Sequence, residues 1–295
     1  MTPATADPRD VPPVLGAHGA VGTPDRAASG DTRAGESLHA PAAPTAAIGG
    51  LIWTLIRTDF KARYHGTLSG FVWALLKPLT MFVVLNAVFS LVFASDATYR
   101  LDLILGLFVW DFFAEGTKTG LTSLHARGYL LKKARVPSWI LVVTSISNPV
   151  ITITVFGAAL TTFLAMTARA PSPTLIGLFV LYIAAMAAII VGFSLAGSVL
   201  FLRYRDLNQV WDVVIQAGFF FAPIIYPLGV IPERFQFYLY LWPPTAVIEF
   251  SRSVLVEQRV PSLIGHLDLA LVVLTVLAIG AIIYRRYAPT VAEHV

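Results

Sequence analysis

Apolar residues fall into runs of about 20 residues separated by short polar or proline-containing joins. A run of this length lets an α-helix cross roughly 30 Å of hydrocarbon, so the pattern predicts an all-α polytopic membrane protein. Composition agrees, because 56% of the residues are hydrophobic and only 13% are charged, against about 25% in a typical soluble chain. The six predicted transmembrane helices cover residues 71–94, 103–124, 139–166, 174–201, 208–226 and 266–285.

The residues before the first predicted span indicate a different kind of helix. Between residues 48 and 64, apolar positions recur at i, i+3, i+4 and i+7, while charged residues interrupt the C-terminal half. This pattern predicts an N-terminal amphipathic helix in the membrane interface. Residues 1–46 have almost no large apolar side chains and predict a disordered cytoplasmic tail, because too little surface can be buried to offset the ordering entropy. We therefore expect two regions, the tail and a membrane domain over residues 47–295.

The fifth predicted span is interrupted. It follows the charged turn at residues 203–206 and then meets Pro223 and Pro227. Irregular backbone at membrane depth is tolerated only where protein or a water-filled cavity satisfies its polar groups, so this segment predicts part of a passage. Residues 227–265 are too apolar for a solvated loop and predict two short re-entrant helices that are separated at Pro243.

Lysine and arginine residues fall mainly on one side of the predicted spans. Positive charge marks the cytoplasmic side, so both termini are predicted to be cytoplasmic. The basic turn between the second and third spans belongs to this side. From its charge alone, a cluster that sets the topology is favoured over a helix that docks on a soluble partner.

Ionisable residues also lie inside the predicted second span. Asp111, Glu115 and Lys118 share one helix face, and such groups usually face a bundle interior or an aqueous path. Local spacing allows a Glu115–Lys118 pair. Lys77 and Asp212 are candidates for an ion pair across two spans, although snorkelling of Lys77 to the membrane interface is favoured over this pair. Asp111 then has no local partner and becomes a candidate for lining a cavity.

No catalytic site, cofactor site or metal site is predicted. The chain has no cysteine, which excludes thiol chemistry and cysteine-based metal sites. The sequence Gly116-Thr117-Lys118-Thr119 is not a phosphate-binding loop, because the pattern requires a further glycine five residues earlier. Any ATP chemistry is therefore expected on another polypeptide.

The chain from about Ile48 onward resembles the permease subunits of ABC-2 type exporters, in the branch that moves O-antigen, teichoic acid, capsule and lipid-linked galactan. One departure is Trp242, which stands where the family usually has asparagine before the aligned Pro243. The order and spacing of several short motifs carry the resemblance: Arg57-x-Asp59-x-Lys61-x-Arg63-Tyr64, Gly70-x-x-Trp73-x-x-x-x-Pro78, Gly106-Leu107-x-x-Trp110-x-Phe112-Phe113, Leu131-x-Lys133-x-Arg135-x-Pro137, Arg205-Asp206-Leu207, Pro223-Ile224-x-Tyr226-Pro227 and Glu249-x-x-Arg252.

The resemblance implies a homodimeric permease with a six-span fold and a separate ATPase dimer that binds ATP and Mg²⁺. It also changes the interpretation of the basic turn, which corresponds to the family's ATPase-coupling helix: Leu131, Lys132, Lys133, Arg135 and Pro137. The interface helix is expected to contact the lipid diphosphate through Arg57, Asp59, Lys61, Arg63 and Tyr64. Candidates for lining the channel are Trp110, Asp111, Phe112, Glu115, Phe219, Phe220, Phe221 and Tyr226. The outer gate is expected at Pro227, Pro232, Trp242, Pro243, Glu249 and Arg252, and a cytoplasmic turn at Arg203, Arg205 and Asp206.

The resulting prediction is an inner-membrane permease of an ATP-driven exporter for a lipid-linked polysaccharide, with membrane lipids as further partners and no nucleic acid. Low lysine and high arginine and alanine content favour a high-GC genome. Together with the resemblance to galactan exporters, this favours an actinobacterial cell-wall galactan as the glycan. An ABC-2 exporter of drugs or lipids is the main alternative. A membrane enzyme acting on polyprenyl phosphate and a proton-coupled carrier are less favoured, because the carboxylates form no recognisable catalytic set and no inverted repeat is visible.

Overall fold

The computed structural model describes residues 45–64, 70–93, 98–130, 136–167 and 169–290. Within these residues the fold is all-helical and contains no β-strand, as predicted. The tail predicted over residues 1–46 lies almost wholly outside them. The α-helices are α1 (Thr45–Tyr64), α2 (Val72–Phe89), α3 (Tyr99–Ala126), α4 (Ser138–Ser145), α5 (Ser147–Met166), α6 (Pro173–Arg203), α7 (Leu207–Phe221), α8 (Glu233–Tyr240), α9 (Pro243–Leu255) and α10 (Leu263–Tyr287).

Four helical segments of the described chain are long and apolar enough to cross a membrane: α2, the α4–α5 pair, α6 and α10. Two further predicted spans differ from these four. Helix α3 has 28 residues but carries charged side chains along its length, and α7 has only 15 residues, or about 22 Å at 1.5 Å per residue. The six-span count therefore stays a prediction.

The predicted third span, residues 139–166, is divided into α4 and α5 at Ile146. Proline lacks a backbone N–H and cannot donate to the carbonyl four residues earlier. Pro149 follows the break by three residues, so the carbonyl of Ser145 cannot have its usual helical partner. This accounts for a break that hydrophobicity alone did not predict.

Helices α3 and α6 occupy the centre of the bundle, and α6 also packs against α9 and α10. The contact between α6 and α10 depends on glycine. A Cβ placed on Gly280 would lie 2.0 Å from the backbone oxygen of Gly192, so these two helices can approach this closely only without a side chain there.

The helix predicted before the first span is present as α1. Its apolar residues Ile48, Leu51, Ile52 and Leu55 pack on a small core formed by α3, α4 and α6. Trp53, on another face, is 66% exposed. One stripe of α1 is therefore attached to the bundle while the opposite stripe remains uncovered.

The segment after α7 contains two short helices, as predicted, but Pro243 has a different role. It is the first residue of α9 rather than a separator, a position where the missing N–H costs nothing. The break between α8 and α9 lies at Leu241 and Trp242. The interruption of the fifth span is confirmed, since α7 ends at Phe221 and Ala222 has extended backbone angles.

Candidate functional site

A cleft runs between α2, α3 and α7. One part, about 850 Å³, is bordered by the end of α1 and is lined by charged and polar side chains together with Trp73. The adjoining part, about 610 Å³, shares Lys77, Ala114, Ile215 and Gln216 with the first. Beyond these shared residues it is mostly apolar, with Trp110, Phe219 and Phe220 in its wall. We refer to the two parts together as the cleft.

Three ion pairs connect α3 to its neighbours around the cleft. Glu115 pairs with Arg63 of α1. Asp111 accepts from Lys77 of α2 at 2.6 Å. Lys118 donates to Asp212 of α7, also at 2.6 Å. Each cation is matched by a carboxylate, so this charged face is close to neutral as a whole, and α3 links α1, α2 and α7 electrostatically.

These pairs differ from those that the sequence suggested. Glu115 does not pair with Lys118, and Lys77 pairs with Asp111 rather than with Asp212. The predictions used spacing along one helix and assumed a contact between α2 and α7. In the fold α3 lies between these helices and supplies the opposite charge to each of them.

The apolar part of the cleft ends at a cluster of aromatic rings. Trp110 of α3 has its ring centroid 5.9 Å from that of Phe219 and 6.4 Å from that of Trp242. Gly218 allows this packing, because a Cβ at that position would approach the Trp242 ring to 2.6 Å. Tryptophan in place of asparagine at position 242 is thus accommodated by Gly218 on α7.

Arg252 holds the irregular segment that follows α7. Its side chain is almost fully buried and donates to the backbone oxygens of Pro223 at 2.6 Å and Ile224 at 3.0 Å. It also donates to the backbone oxygen of Asp102 and to Glu249, the latter at 2.8 Å. The guanidinium therefore supplies donors to buried carbonyls of the irregular segment, which have no helix or strand of their own to satisfy them.

A second arginine connects three helices at the other end of α3. Arg127 pairs with Asp59 of α1 at 2.6 Å and donates to the backbone oxygen of Leu141 and the hydroxyl of Thr144 in α4. Burial raises the pKa of Asp59, and the nearby Arg127 only partly offsets this effect. Burial likewise lowers the pKa of Arg127, and Asp59 opposes the shift. Sequence reasoning used Arg127 only as a topology marker and missed this clamp.

The structure brings together only some of the residues predicted to line a channel. Trp110, Asp111, Phe219 and Phe220 line the apolar part of the cleft, and Glu115 lines the charged part. Phe112 is instead buried in the core at 2% exposure. Phe221 is exposed, and Tyr226 donates to the Phe221 backbone oxygen at 3.1 Å; neither of them lines the cleft. Residues of the cleft that were not predicted to line it include Trp73, Lys77, Lys118, Asp212, Ile215 and Gln216.

The remaining predicted residues lie at several places. Arg63 and Tyr64 reach the cleft from α1, whereas Arg57 and Lys61 are exposed on that helix. Pro227, Pro232 and Trp242 each immediately precede a helical turn. Arg203, Arg205 and Asp206 are exposed between α6 and α7. Of the predicted coupling residues, Leu131, Lys132, Lys133 and Arg135 lie outside the described residues, and Pro137 precedes α4.

A family model described as "ABC-2 type transporter" matches residues 50–256, which include the cleft and the Arg252 site. The chain belongs to the ABC-2 type transporter family. Members are membrane components of transporters rather than enzymes, and they work with a separate ATPase subunit. With its four apolar helices of spanning length, this ABC-2 chain is a multi-pass membrane protein.

Several curated relatives of this ABC-2 chain carry transport names. An O-antigen export system permease protein, RfbA of Klebsiella pneumoniae, is 28% identical over 67% of the chain and 77% of its own length. The protein of the same name from Myxococcus xanthus is 25% identical over 83% of the chain and 95% of its own length. The polysialic acid transport protein KpsM of Escherichia coli is 23% identical over 78% of the chain and 91% of its own length.

Proposed function

We propose that this protein is the permease subunit of an ATP-driven exporter that moves a lipid-linked polysaccharide from the cytoplasmic to the outer side of the inner membrane. The observation that carries the proposal is the cleft, in which ion pairs at one end give way to aromatic rings at the other. Aromatic faces can stack on the apolar faces of sugar rings. The names of the relatives favour a polysaccharide over a drug as the cargo.

The permease acts as a homodimer in this proposal. Large apolar side chains on both sides of the cleft remain exposed in the single chain, among them Trp73 at 58%, Val84 at 53%, Val213 at 65% and Phe220 at 68%. A second copy that covered these faces of α2 and α7 would convert two open clefts into one closed passage. Exposed apolar patches of this kind mark interaction sites or surfaces that face lipid.

Helices α3 and α7 complete a six-span domain in the proposed topology, with both termini in the cytoplasm. The charges of α3 and the shortness of α7 fit helices that line a passage instead of facing lipid. Helices α8 and α9 then form the outer gate, and residues 131–137 contact the ATPase. Cell-wall galactan is the glycan that we favour.

The charged part of the cleft suggests how an anionic lipid carrier enters. A polyprenyl diphosphate brings negative charge to a face whose cations are already paired, so it must displace a carboxylate from its cation. Arg63 is the cation best suited to this exchange, because a guanidinium binds phosphate oxygens in a bidentate manner. Its release from Glu115 would remove one of the two ion pairs between α1 and α3, and substrate loading would thereby loosen the interface helix.

This exchange has a direct test in a reconstituted complex with the ATPase. Glu115→Gln frees Arg63, so half-maximal stimulation of ATP hydrolysis should require less lipid-linked glycan than in the wild type. Arg63→Gln should require more. Glu257→Gln, at an exposed glutamate outside the cleft, is the matched control and should change nothing. Weaker stimulation of the Glu115→Gln variant would contradict the exchange.

The proposed function itself is tested by co-expression with candidate ATPase subunits and affinity purification of the complex. We expect an ATPase to co-purify and its activity to rise with glycolipid rather than with hydrophobic drugs. Alanine at Lys133 and Arg135 should uncouple that activity, whereas alanine at the exposed Arg259 should not. Absence of any ATPase partner would refute the exporter, and stimulation by drugs alone would favour the alternative cargo.

A further inference from the structure

A second cavity lies on the opposite face of α2 from the cleft. It has a volume of about 430 Å³ and is enclosed by α2, α3 and α5. Helix α2 presents Lys77, Met81 and Val84 to the cleft, and Leu75, Leu79 and Phe82 to this crevice. Both sets follow the i, i+4, i+7 spacing of a single helix face, so α2 separates the two spaces.

The crevice is apolar along its walls and charged at one end. Its lining consists of aliphatic and aromatic side chains, with Arg100 as the one polar residue among the described residues that border it. Phe108 and Phe156 stack at a centroid distance of 3.7 Å within the wall. Arg100 is the second residue of α3, so it lies where that helix begins and where the crevice ends along α3.

The length of the crevice matches one half of a bilayer. From Arg100 to Phe108, α3 advances by eight residues, which is about 12 Å at 1.5 Å per residue. One leaflet contributes half of a hydrocarbon core of roughly 30 Å. An acyl chain in this crevice would run along α3, and its head group would lie at the level of Arg100.

Arg100 has no counter-ion among the residues that the structure describes. Its side chain is exposed. The nearby Asp102 instead accepts from the hydroxyl of Thr98 at 3.0 Å. An arginine next to an apolar crevice complements an anionic head group, because its guanidinium binds phosphate oxygens with two parallel hydrogen bonds.

The shallow burial of α2 leaves room for an occupant on its crevice face. Pro78 is its one buried residue among those described, and Leu79, which lines the crevice, is 38% exposed. We propose that the crevice binds an acyl chain of an anionic phospholipid from the surrounding bilayer, with the lipid phosphate on Arg100. The lipid then acts as a packing partner that fixes α2 against α3 and α5. This site does not depend on the proposed cargo.

The test measures lipid binding to the purified, delipidated full-length protein by native mass spectrometry and by thermal shift. Phosphatidylglycerol is the probe, and phosphatidylcholine provides the zwitterionic comparison. The wild type should bind phosphatidylglycerol about fivefold more tightly, since one basic side chain near an anionic head group has an effect of that order. Arg100→Gln should remove this preference. Arg169→Gln, which changes another exposed arginine, should keep it.

A second pair of variants tests the acyl chain itself. Ala159 borders the crevice and is exposed, whereas its exposed neighbour Ala158 does not border it. Ala159→Trp should block binding of both lipids and remove their thermal stabilisation, and Ala158→Trp should behave as the wild type. Unchanged preference in Arg100→Gln, or unchanged binding in Ala159→Trp, would overturn the proposal. The proposal would also be overturned if these variants still bound phosphatidylglycerol but no longer bound the lipid-linked glycan. The crevice would then hold the lipid tail of the glycan carrier.

Discussion

Arg252→Met is expected to destabilise the fold more than any surface substitution, because this buried side chain donates to two carbonyls of the irregular segment after α7 and connects the segment to α3 and α9. Methionine keeps most of the buried volume and removes the donors. The guanidinium is 6% exposed, and its partners belong to α3, to the segment at Pro223 and Ile224, and to Glu249 of α9. The carbonyls of Pro223 and Ile224 and the carboxylate of Glu249 would lose this donor.

The magnitude follows from the number and kind of bonds that are lost. Removing one partner of a buried, hydrogen-bonded ion pair costs about 3–5 kcal/mol, and hydrogen bonds to a charged group contribute about 1.5–3 kcal/mol each. Relaxation of the segment and entry of water would recover part of the loss. We therefore expect a decrease of about 3–5 kcal/mol in the free energy of unfolding. Arg252→Lys keeps the charge but cannot reach all the acceptors, so its loss should be intermediate.

The assay is reversible unfolding in mixed micelles with increasing SDS, followed by tryptophan fluorescence. Arg259→Met is the matched control, because this exposed arginine has no hydrogen bond to its side chain among the described residues. Its effect should stay within about 0.5 kcal/mol. A loss below about 1 kcal/mol for Arg252→Met would refute the reasoning, since the carbonyls would then have another source of donors.

Two further predictions concern other contacts. Burial raises the pKa of Asp59 more than Arg127 lowers it, so the folded state binds the proton more tightly than the unfolded state does. The wild type should therefore gain stability relative to Asp59→Asn as the pH falls through the folded-state pKa, and the opposite slope in unfolding measurements from pH 7 to pH 4 would contradict this. Gly280→Ala should lower the melting temperature clearly, because its Cβ would meet the Gly192 backbone. Gly177→Ala is the control and should not lower it, because no atom lies within 4 Å of its Cβ. Equal shifts in melting temperature would refute the close contact between α6 and α10.

Helix positions could be predicted from the sequence because the apolar runs are long and end at prolines or charged turns. The bounds of α6, the start of α7 and the two short helices before α10 follow from this pattern, whereas α7 ends five residues before the predicted end of the fifth span. The break at Ile146 depends on one missing hydrogen bond, and an averaged hydrophobic pattern does not register such a loss. The sequence therefore predicted the positions of the helices better than it predicted the break within one of them.

The contents of the cleft were harder to predict because pairing depends on tertiary neighbours. Local spacing joined Glu115 to Lys118, whereas packing placed Arg63 beside Glu115. One error in the predicted channel lining was avoidable. Residues two apart on a helix do not share a face, so Trp110 and Phe112 could not both have lined the same cleft.

The central claim is tested most directly by the side of the membrane on which lipid-linked glycan accumulates. The chain is depleted in its native host, the glycan is labelled metabolically, and intact spheroplasts are treated with an impermeant glycosidase. If the chain exports the glycolipid, the labelled glycolipid becomes protected inside the cell on depletion. Re-expression of the wild type then restores its exposure, whereas an uncoupled Lys133 and Arg135 variant does not. Full accessibility of the glycolipid after depletion would contradict a role in its export.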